Sequence, residues 1–148
     1  MFNIALYQPD IPQNTGAIIR LCSCFDVTLE IIEPCGFYLN DARLKRITMD
    51  YMDESKITTY KSYQSFLIKK KNERVILMTT KAKKYFDDFK YKPGDTILFG
   101  RESEGVPKMV HQKSHQRLKI PLKNNKRSLN IGMAVAITLS EALKQNSF

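Results

Sequence analysis

The chain has 148 residues, of which 43% are hydrophobic and 26% charged, and this composition is typical of one globular domain with its own core. It contains no apolar run near the roughly 18 residues of a membrane span, and Met1–Tyr7 lacks the basic region of a signal peptide. We therefore expect a cytoplasmic protein without a membrane partner. The net charge of +9 is typical of a protein that binds a polyanion such as nucleic acid, although a lysine-rich genome gives the same excess.

Short apolar runs alternate with helical patterns along the chain, and no repeat or linker interrupts them. This alternation predicts a single domain, residues 1–148, with a mostly parallel α/β sheet that helices bury on both faces. The predicted strands are Asn3–Tyr7, Thr28–Ile32, Arg74–Thr79, Thr96–Phe99 and Leu118–Leu122. The predicted helices are Ala17–Phe25 and Asn130–Gln145.

The first predicted helix follows Pro12 and Asn14. Asn14 is predicted to be its N-cap, because an Asn side chain accepts hydrogen bonds from the free amides of a first turn. Arg20 lies outside the apolar stripe of this helix, one turn beyond Gly16. The stripe consists of Ile18, Leu21, Cys22 and Phe25.

The three cysteines are an odd number, which excludes a complete disulfide framework. Cys22 and Cys24 are two residues apart in the first predicted helix, so their side chains point about 200° away from each other. We therefore expect buried thiols rather than a redox pair or a metal site.

Several common site types are excluded by missing residues. Gly100 and Gly105 have the spacing of a P-loop, but Val106-Pro107 stands where that loop requires Lys-Ser/Thr. The sequence contains neither a GxGxxG nor a GxSxG motif. His111 and His115 are four residues apart without a third ligand, so no metal is expected.

Two glycine-containing turns, 97–107 (ILFGRESEGVP) and 120–132 (IPLKNNKRSLNIG), leave predicted strands and contain Glu102, Ser128 and Asn130. Ligands of an open α/β sheet bind outside the carboxyl ends of the strands, where glycine permits close approach of the backbone. Taken singly, each segment is equally typical of an ordinary turn followed by a helix cap.

The last predicted helix is apolar almost all round in its first half, from Ile131 to Leu139. One sheet cannot cover every side of such a helix. A second burying surface is therefore predicted, most simply a second copy of the protein packed helix against helix.

Together with 11–22 (IPQNTGAIIRLC) and 31–37 (IIEPCGF), the two turns resemble, in order and spacing, the SPOUT superfamily of RNA methyltransferases. The likeness is greatest to its minimal ribose 2′-O branch, the TrmL/YibK-type tRNA wobble-position enzymes, and extends over nearly the whole chain. The resemblance implies an α/β fold with a C-terminal trefoil knot and a homodimer formed through the first and last helices. It also implies S-adenosylmethionine as the methyl donor, with S-adenosylhomocysteine as product and no metal.

The resemblance also implies which residues form the site. Asn14 and Arg20 match the motif at the reacting ribose and are the predicted catalytic residues. Because arginine stays protonated in proteins, we expect Arg20 to grip the adjacent phosphate and stabilise the developing alkoxide, not to act as a base; a surface salt bridge is the alternative. The predicted cofactor-binding residues are Met78, Gly100, Glu102, Ile120, Leu122 and Ser128.

The substrate implied by the resemblance is a pyrimidine at tRNA position 34, most simply of a leucine tRNA, with no DNA partner. Two departures bear on the substrate: Arg101 stands where proline often follows FG, and Ser140 where wobble-type members have tyrosine. The alternatives are another tRNA or rRNA site, or an RNA-binding protein of this fold without catalysis. The candidate RNA-binding runs are Lys69–Lys71, which is more typical of a solvated face, Lys81–Lys84 and Lys123–Arg127.

Overall fold

The structure, a computed structural model, describes residues 1–48, 51, 56–124 and 126–147, and its framework is a single sheet. The strands are β1 (Asn3–Tyr7), β2 (Thr28–Ile32), β3 (Ile57–Tyr60), β4 (Val75–Met78), β5 (Lys84–Tyr85), β6 (Thr96–Phe99) and β7 (Gln116–Lys119). Their order is β3-β2-β1-β6-β4-β7-β5, and every ladder between these strands is parallel. The carboxyl ends of all these strands therefore meet at one edge of the sheet.

Five helices lie within the described residues: α1 (Pro12–Cys24), α2 (Ala42–Thr48), α3 (Tyr63–Lys69), α4 (Lys108–Lys113) and α5 (Ile131–Gln145). None of them combines the length and the apolar character that crossing a bilayer requires. They cover both faces of the sheet, because alternate strand residues belong to two cores. Ile4 of β1 packs in a core that includes residues of α1 and α5, whereas Ala5 packs in one that includes Phe66 of α3 and Val110 of α4. The predicted α/β fold, a parallel sheet with helices on both faces, is thus confirmed.

Three predicted strands, β1, β2 and β6, have the predicted bounds, and β4 loses only its end residues. The prediction for β7 was wrong, because the strand runs over Gln116–Lys119 and not Leu118–Leu122. Its register pairs Gln116, Arg117 and Leu118 with β4. Pro121 lacks the N–H that a ladder needs, so Ile120 and Leu122 lie in the loop beyond the strand.

The prediction for α1 was wrong at its start. The helix begins at Pro12, and Ile11 is its N-cap. Proline is favoured in a first turn, since no intrahelical partner is available there for an N–H. Asn14 therefore lies inside the helix and does not cap it. Cys22 is buried as predicted, but Cys24 is exposed, because the same angular separation that keeps the two thiols apart turns Cys24 to the surface.

The apolar character of α5 is only partly used within one protomer. Val135 and Leu139 are buried in the core, whereas the side chains of Met133 and Ile137 are 62% and 39% exposed. The helix begins as predicted, because the Asn130 side chain caps it by accepting hydrogen bonds from the amides of Gly132 and Met133 at 2.8 and 3.4 Å. The exposed face is what the prediction of a second burying surface requires.

Lys70 shows that part of the Lys69–Lys71 run has a structural role. Its ammonium group is buried and lies 2.7 Å from a carboxylate oxygen of Glu30 and 2.7 Å from one of Glu73. Burial raises the pKa of Glu30, and the hydrogen bond from Lys70 opposes that rise. This lysine therefore compensates a buried carboxylate and is not available to RNA.

Candidate active site

A cavity of about 690 Å³ lies at the carboxyl ends of β4, β6 and β7 and reaches the first turns of α1 and α5. Seven of the eight predicted site residues line it, namely Asn14, Met78, Gly100, Glu102, Ile120, Leu122 and Ser128. The structure thus places three segments that are far apart in the sequence around one space, although what these residues bind stays a prediction.

The turn that leaves β6 depends on two glycines. The amide of Arg101 donates to the carbonyl of Gly105 at 3.0 Å, and the amide of Gly105 donates back at 2.9 Å. A Cβ at Gly100 would lie 2.8 Å from the backbone of Gly105, and Gly105 itself has a φ of +67°, in the left-handed region that favours glycine. The turn folds this tightly only because neither position carries a side chain.

Glu102, at the tip of this turn, ties it to the first helix. One carboxylate oxygen accepts a hydrogen bond from the amide of Asp10 at 3.1 Å, and the other accepts one from the Asn14 side-chain amide at 3.3 Å. The Asn14 side-chain oxygen in turn accepts from the Asn130 side chain at 2.9 Å. Because Asn130 also caps α5, a continuous chain of hydrogen bonds joins the β6 turn, α1 and α5.

Glu102, which lines this cavity, forms an acid pair with Asp10. Burial raises the pKa of Glu102, and its hydrogen bond to the Asp10 carboxylate raises it further. That hydrogen bond is also the main cause that lowers the pKa of Asp10, with further help from the Ser103 hydroxyl and the Arg101 charge. Asp10 Oδ1 is buried without a donor among the described residues. Asp10 is therefore the carboxyl of the pair that ionises at the lower pH.

The opposite wall of the cavity is apolar. Met78 at the end of β4 is 9% exposed, and Ile120 and Leu122 in the loop after β7 are half-buried beside it. Ser128 and Asn130 face the cavity from the entry to α5. A mainly apolar wall with a few convergent polar groups is the usual construction of a small-molecule site.

His111 is a cavity residue that the sequence reasoning missed. It lies in α4, and its Nε2 is 3.1 Å from the Thr79 hydroxyl, just beyond the end of β4. His115 lies beyond α4, and its Nδ1 accepts a hydrogen bond from the amide of Val75 at the start of β4. The two histidines therefore form hydrogen bonds at opposite ends of β4. Their spacing in the sequence is that of a metal motif and does not predict this arrangement.

Arg20 is the one predicted site residue outside the cavity lining. It lies on the exposed side of α1 with its guanidinium 5.0 Å from the centre of the Tyr51 ring. Six residues along an α-helix correspond to a rotation of roughly 600°, which leaves Arg20 about 120° around the axis from Asn14. Arg20 therefore lies outside the cavity that Asn14 lines.

Comparison with known proteins and structures identifies relatives of this chain. A profile of the SpoU rRNA Methylase family matches residues 1–140. The tRNA (cytidine(34)-2'-O)-methyltransferase of Beijerinckia indica subsp. indica is 44% identical over 144 residues, which cover 96% of this chain and 90% of that protein. A solved structure described as "Structural insights into the 2-OH methylation of C/U34 on tRNA" has a TM-score of 0.96 and 34% identity, covering 99% of this chain and 97% of that one. An AdoMet-bound rRNA methyltransferase from Sinorhizobium meliloti, with 21% identity and a TM-score of 0.89 over 97% of this chain and 56% of its own, shares the fold.

The acid pair predicts two separated titrations. In a carboxyl-observed NMR titration, we expect Asp10 to titrate below and Glu102 above the ordinary range of its residue type. Asp10→Asn is expected to lower the pKa of Glu102, because it removes a carboxylate that raises it. Asp26→Asn is the matched control, since Asp26 pairs with Lys56 on the surface, and it is expected to leave Glu102 unchanged.

The sign of the stability change follows from the two directions. The pKa of Asp10 is lower in the folded protein than in the unfolded chain, so the Asp10 carboxylate stabilises the fold at pH values above the unfolded pKa. This stabilisation is lost as the pH falls through the folded pKa. The raised pKa of Glu102 stabilises the fold below the ordinary Glu range, and this is lost as the pH rises through the folded value. A Glu102 that titrates in the ordinary range, with or without Asp10, would contradict a pKa raised by burial and by Asp10.

Proposed function

The chain belongs to the SpoU methylase family, and from this premise we propose that it is a tRNA methyltransferase acting on the ribose 2′-hydroxyl of a cytidine or uridine at position 34. The methyl donor is S-adenosylmethionine. The observation that carries the proposal is the cavity in which Glu102, Asn14 and Asn130 join the three motif segments. The full-length likeness to tRNA position-34 methyltransferases supports the same substrate.

The cavity fits a nucleoside cofactor. Its volume of about 690 Å³ lies within the roughly 300–1,000 Å³ of small-molecule sites. Met78, Ile120 and Leu122 offer apolar surface for a flat base, and the missing Cβ at Gly100 lets the backbone turn closely beside it. When bound, the cofactor supplies a methyl group that its sulfonium charge already activates.

Asn14 positions the ribose in this proposal. Its side-chain oxygen is occupied by Asn130 and one of its N–H groups by Glu102, so the amide is held in one orientation with a second N–H left to donate. A donor fixed in this way holds a ribose oxygen without further loss of side-chain freedom. Orientation of all the reacting groups together is worth up to about 7–11 kcal/mol of the barrier, and Asn14 contributes one part of it.

Arg20 acts on the RNA from the protomer surface. A guanidinium grips a phosphate with two parallel hydrogen bonds and stabilises negative charge on a nearby oxygen as the 2′-hydroxyl loses its proton. Arg20 adjoins Leu21, which lines an apolar groove between α1 and α5. In a dimer packed through that groove, Arg20 lies at the interface, where RNA bound by the two copies is within its reach.

The dimer itself is proposed from the groove. It has a volume of about 590 Å³, and its lining includes Phe25, the C-cap of α1, and Ala136 and Leu143 of α5. Met133 and Ile137, on the same helix, are exposed beside it. An apolar surface of this kind on a soluble protein marks an interface, and a two-fold pair of identical chains is the commonest solution. From the family resemblance we also propose that the C-terminal part of the chain forms a trefoil knot and that the substrate is a leucine tRNA.

The activity is tested with the purified protein, S-adenosylmethionine and tRNA, followed by mass spectrometry of the nucleosides. We expect a 2′-O-methylated pyrimidine at position 34 and no methylated base.

Gly100→Ala is expected to remove cofactor binding in calorimetry, because its Cβ would meet the Gly105 backbone at 2.8 Å. Gly94→Ala is the control for backbone strain: nothing lies within 4 Å of its Cβ, but its φ is +91°, so the variant is expected to lose stability and still bind the cofactor. Binding of ATP or NAD in place of S-adenosylmethionine would overturn the assignment.

Arg20→Ala separates catalysis from cofactor binding. We expect its affinity for S-adenosylhomocysteine to stay at the wild-type value while methyl transfer falls by roughly 100- to 1,000-fold. Arg20→Lys is expected to rescue little, because an ammonium cannot reproduce the planar bidentate grip. Arg43→Ala removes another exposed arginine, one paired with Asp41, and is expected to keep the full rate. Methylation by Arg20→Ala at the wild-type rate would make Arg20 a surface residue.

Ile137→Asp tests the dimer. Light scattering of the wild type is expected to give twice 17.2 kDa, and the variant is expected to give the monomer mass with an unchanged circular dichroism spectrum, because Ile137 is 39% exposed within the protomer. Val135→Asp and Leu139→Asp are expected to unfold the chain, since both side chains are buried. A wild-type monomer at micromolar concentration would refute the interface.

A further inference from the structure

The sheet ends at a basic edge that adjoins the cavity. The edge strand β5 consists of Lys84 and Tyr85, which pair in register with Leu118 and Lys119 of β7. The ammonium of Lys119 lies 5.3 Å from the centre of the Tyr85 ring. Lys119 also lines the cavity, so the ring of Tyr85 stands beside the proposed site.

The charge of this edge is mainly positive. Lys81, Lys83 and Lys84 are exposed on it, and the Lys84 ammonium lies 5.3 Å from the centre of the Phe89 ring. With Lys119 they outnumber the two aspartates, 87 and 88, that follow β5. Lysines on an edge strand also discourage pairing with another chain, but that role leaves the 43% exposure of the Tyr85 ring without a reason.

An exposed aromatic ring among lysines is the usual construction for binding single-stranded nucleic acid, since a base stacks on the ring while the ammonium groups follow the phosphates. RNA enzymes that read a loop meet bases that are already unpaired and free to stack. Resting on the proposed function, we propose that Tyr85 is a stacking platform for a nucleobase adjacent to the methylated nucleotide.

Lys119 links the platform to the cavity in this proposal. In the protein without RNA, its ammonium is attracted by the face of the Tyr85 ring. A phosphate carries a full negative charge and attracts an ammonium more strongly than a neutral ring does. When RNA binds, Lys119 moves to a phosphate and the ring face takes the base, so that the substrate replaces a contact the protein already makes.

The sequence contains no tryptophan, so Tyr85→Trp introduces a single tryptophan at the platform, which can be excited at wavelengths that tyrosine does not absorb. We expect an RNA anticodon stem-loop to quench its emission, and S-adenosylhomocysteine alone to leave it unchanged. Ile68→Trp is the matched control, because Ile68 is 69% exposed near the end of α3, which leads to the amino ends of the strands. Its emission is expected to stay unchanged with RNA. Equal quenching of both variants, or of neither, would overturn the platform.

Kinetics give an independent readout. Tyr85→Ala is expected to raise the KM for tRNA roughly tenfold to a hundredfold, the range of one base–aromatic stack, with kcat and cofactor affinity unchanged. Tyr85→Phe, which keeps the ring, is expected to behave as the wild type. Lys84→Ala is expected to reduce the slope of log Kd against log salt by about 0.7, as one lost phosphate contact requires. Lys56→Ala, at an exposed ion pair with Asp26, is expected to leave that slope unchanged.

The two proposals fail in different ways. If the wild type methylates tRNA and Tyr85→Ala keeps the wild-type KM, the platform is wrong and the proposed function stands. If the wild type methylates no tRNA while RNA still quenches Tyr85→Trp alone, the proposed function is wrong and the edge remains an RNA-binding surface.

Discussion

The hydrogen-bond chain from Glu102 through Asn14 to Asn130 is the interaction on which the rest of the site depends. It exists because β1 and β6 are parallel neighbours in the sheet, so the loops that leave their carboxyl ends emerge side by side. Glu102 in one loop can then accept from the backbone and helix of the other. Asn130 extends the chain to the last helix. Three segments that are remote in sequence become one cavity through this contact.

Glu102, the half-buried acid at one end of this chain of hydrogen bonds, is costly unless its partners stay in place. Burial raises the pKa of Glu102, and its oxygens are paired with the Asp10 amide and the Asn14 side chain. Loss of the Glu102 carboxyl would leave both donors without a partner, at about 1–3 kcal/mol each. The same network holds the Asn14 side chain in a fixed orientation, as a preorganised site requires.

The sequence predicted best those elements whose bounds depend on a short, local pattern of residues. Buried strands such as β1 and β6 appear as short apolar runs, and their bounds were confirmed. Asn14 was predicted to be a helix cap, because a polar residue after Pro12 gives the same local signal whether it caps the helix or binds a distant residue. Its side chain instead donates a hydrogen bond to Glu102, which is 88 residues away in the sequence. The strand β5 has only two residues, both exposed, so no pattern of apolar residues in the sequence predicts it. The resemblance placed seven cavity residues that periodicity alone did not.

The last helix connects the two surfaces on which the proposals depend. Its first turn, with Ile131 and Ala134, belongs to the cavity, and its second half, with Ser140 and Leu143, belongs to the apolar groove. A second copy seated on the groove would restrict α5 and thereby hold Asn130 and the hydrogen-bond chain that begins there. In the proposed dimer, dimerisation and cofactor binding would act on one rigid element, so separation of the two copies would loosen the site as well as remove Arg20 from the interface. The proposed pair of copies would therefore present to RNA a basic surface about twice as extended as that of one chain.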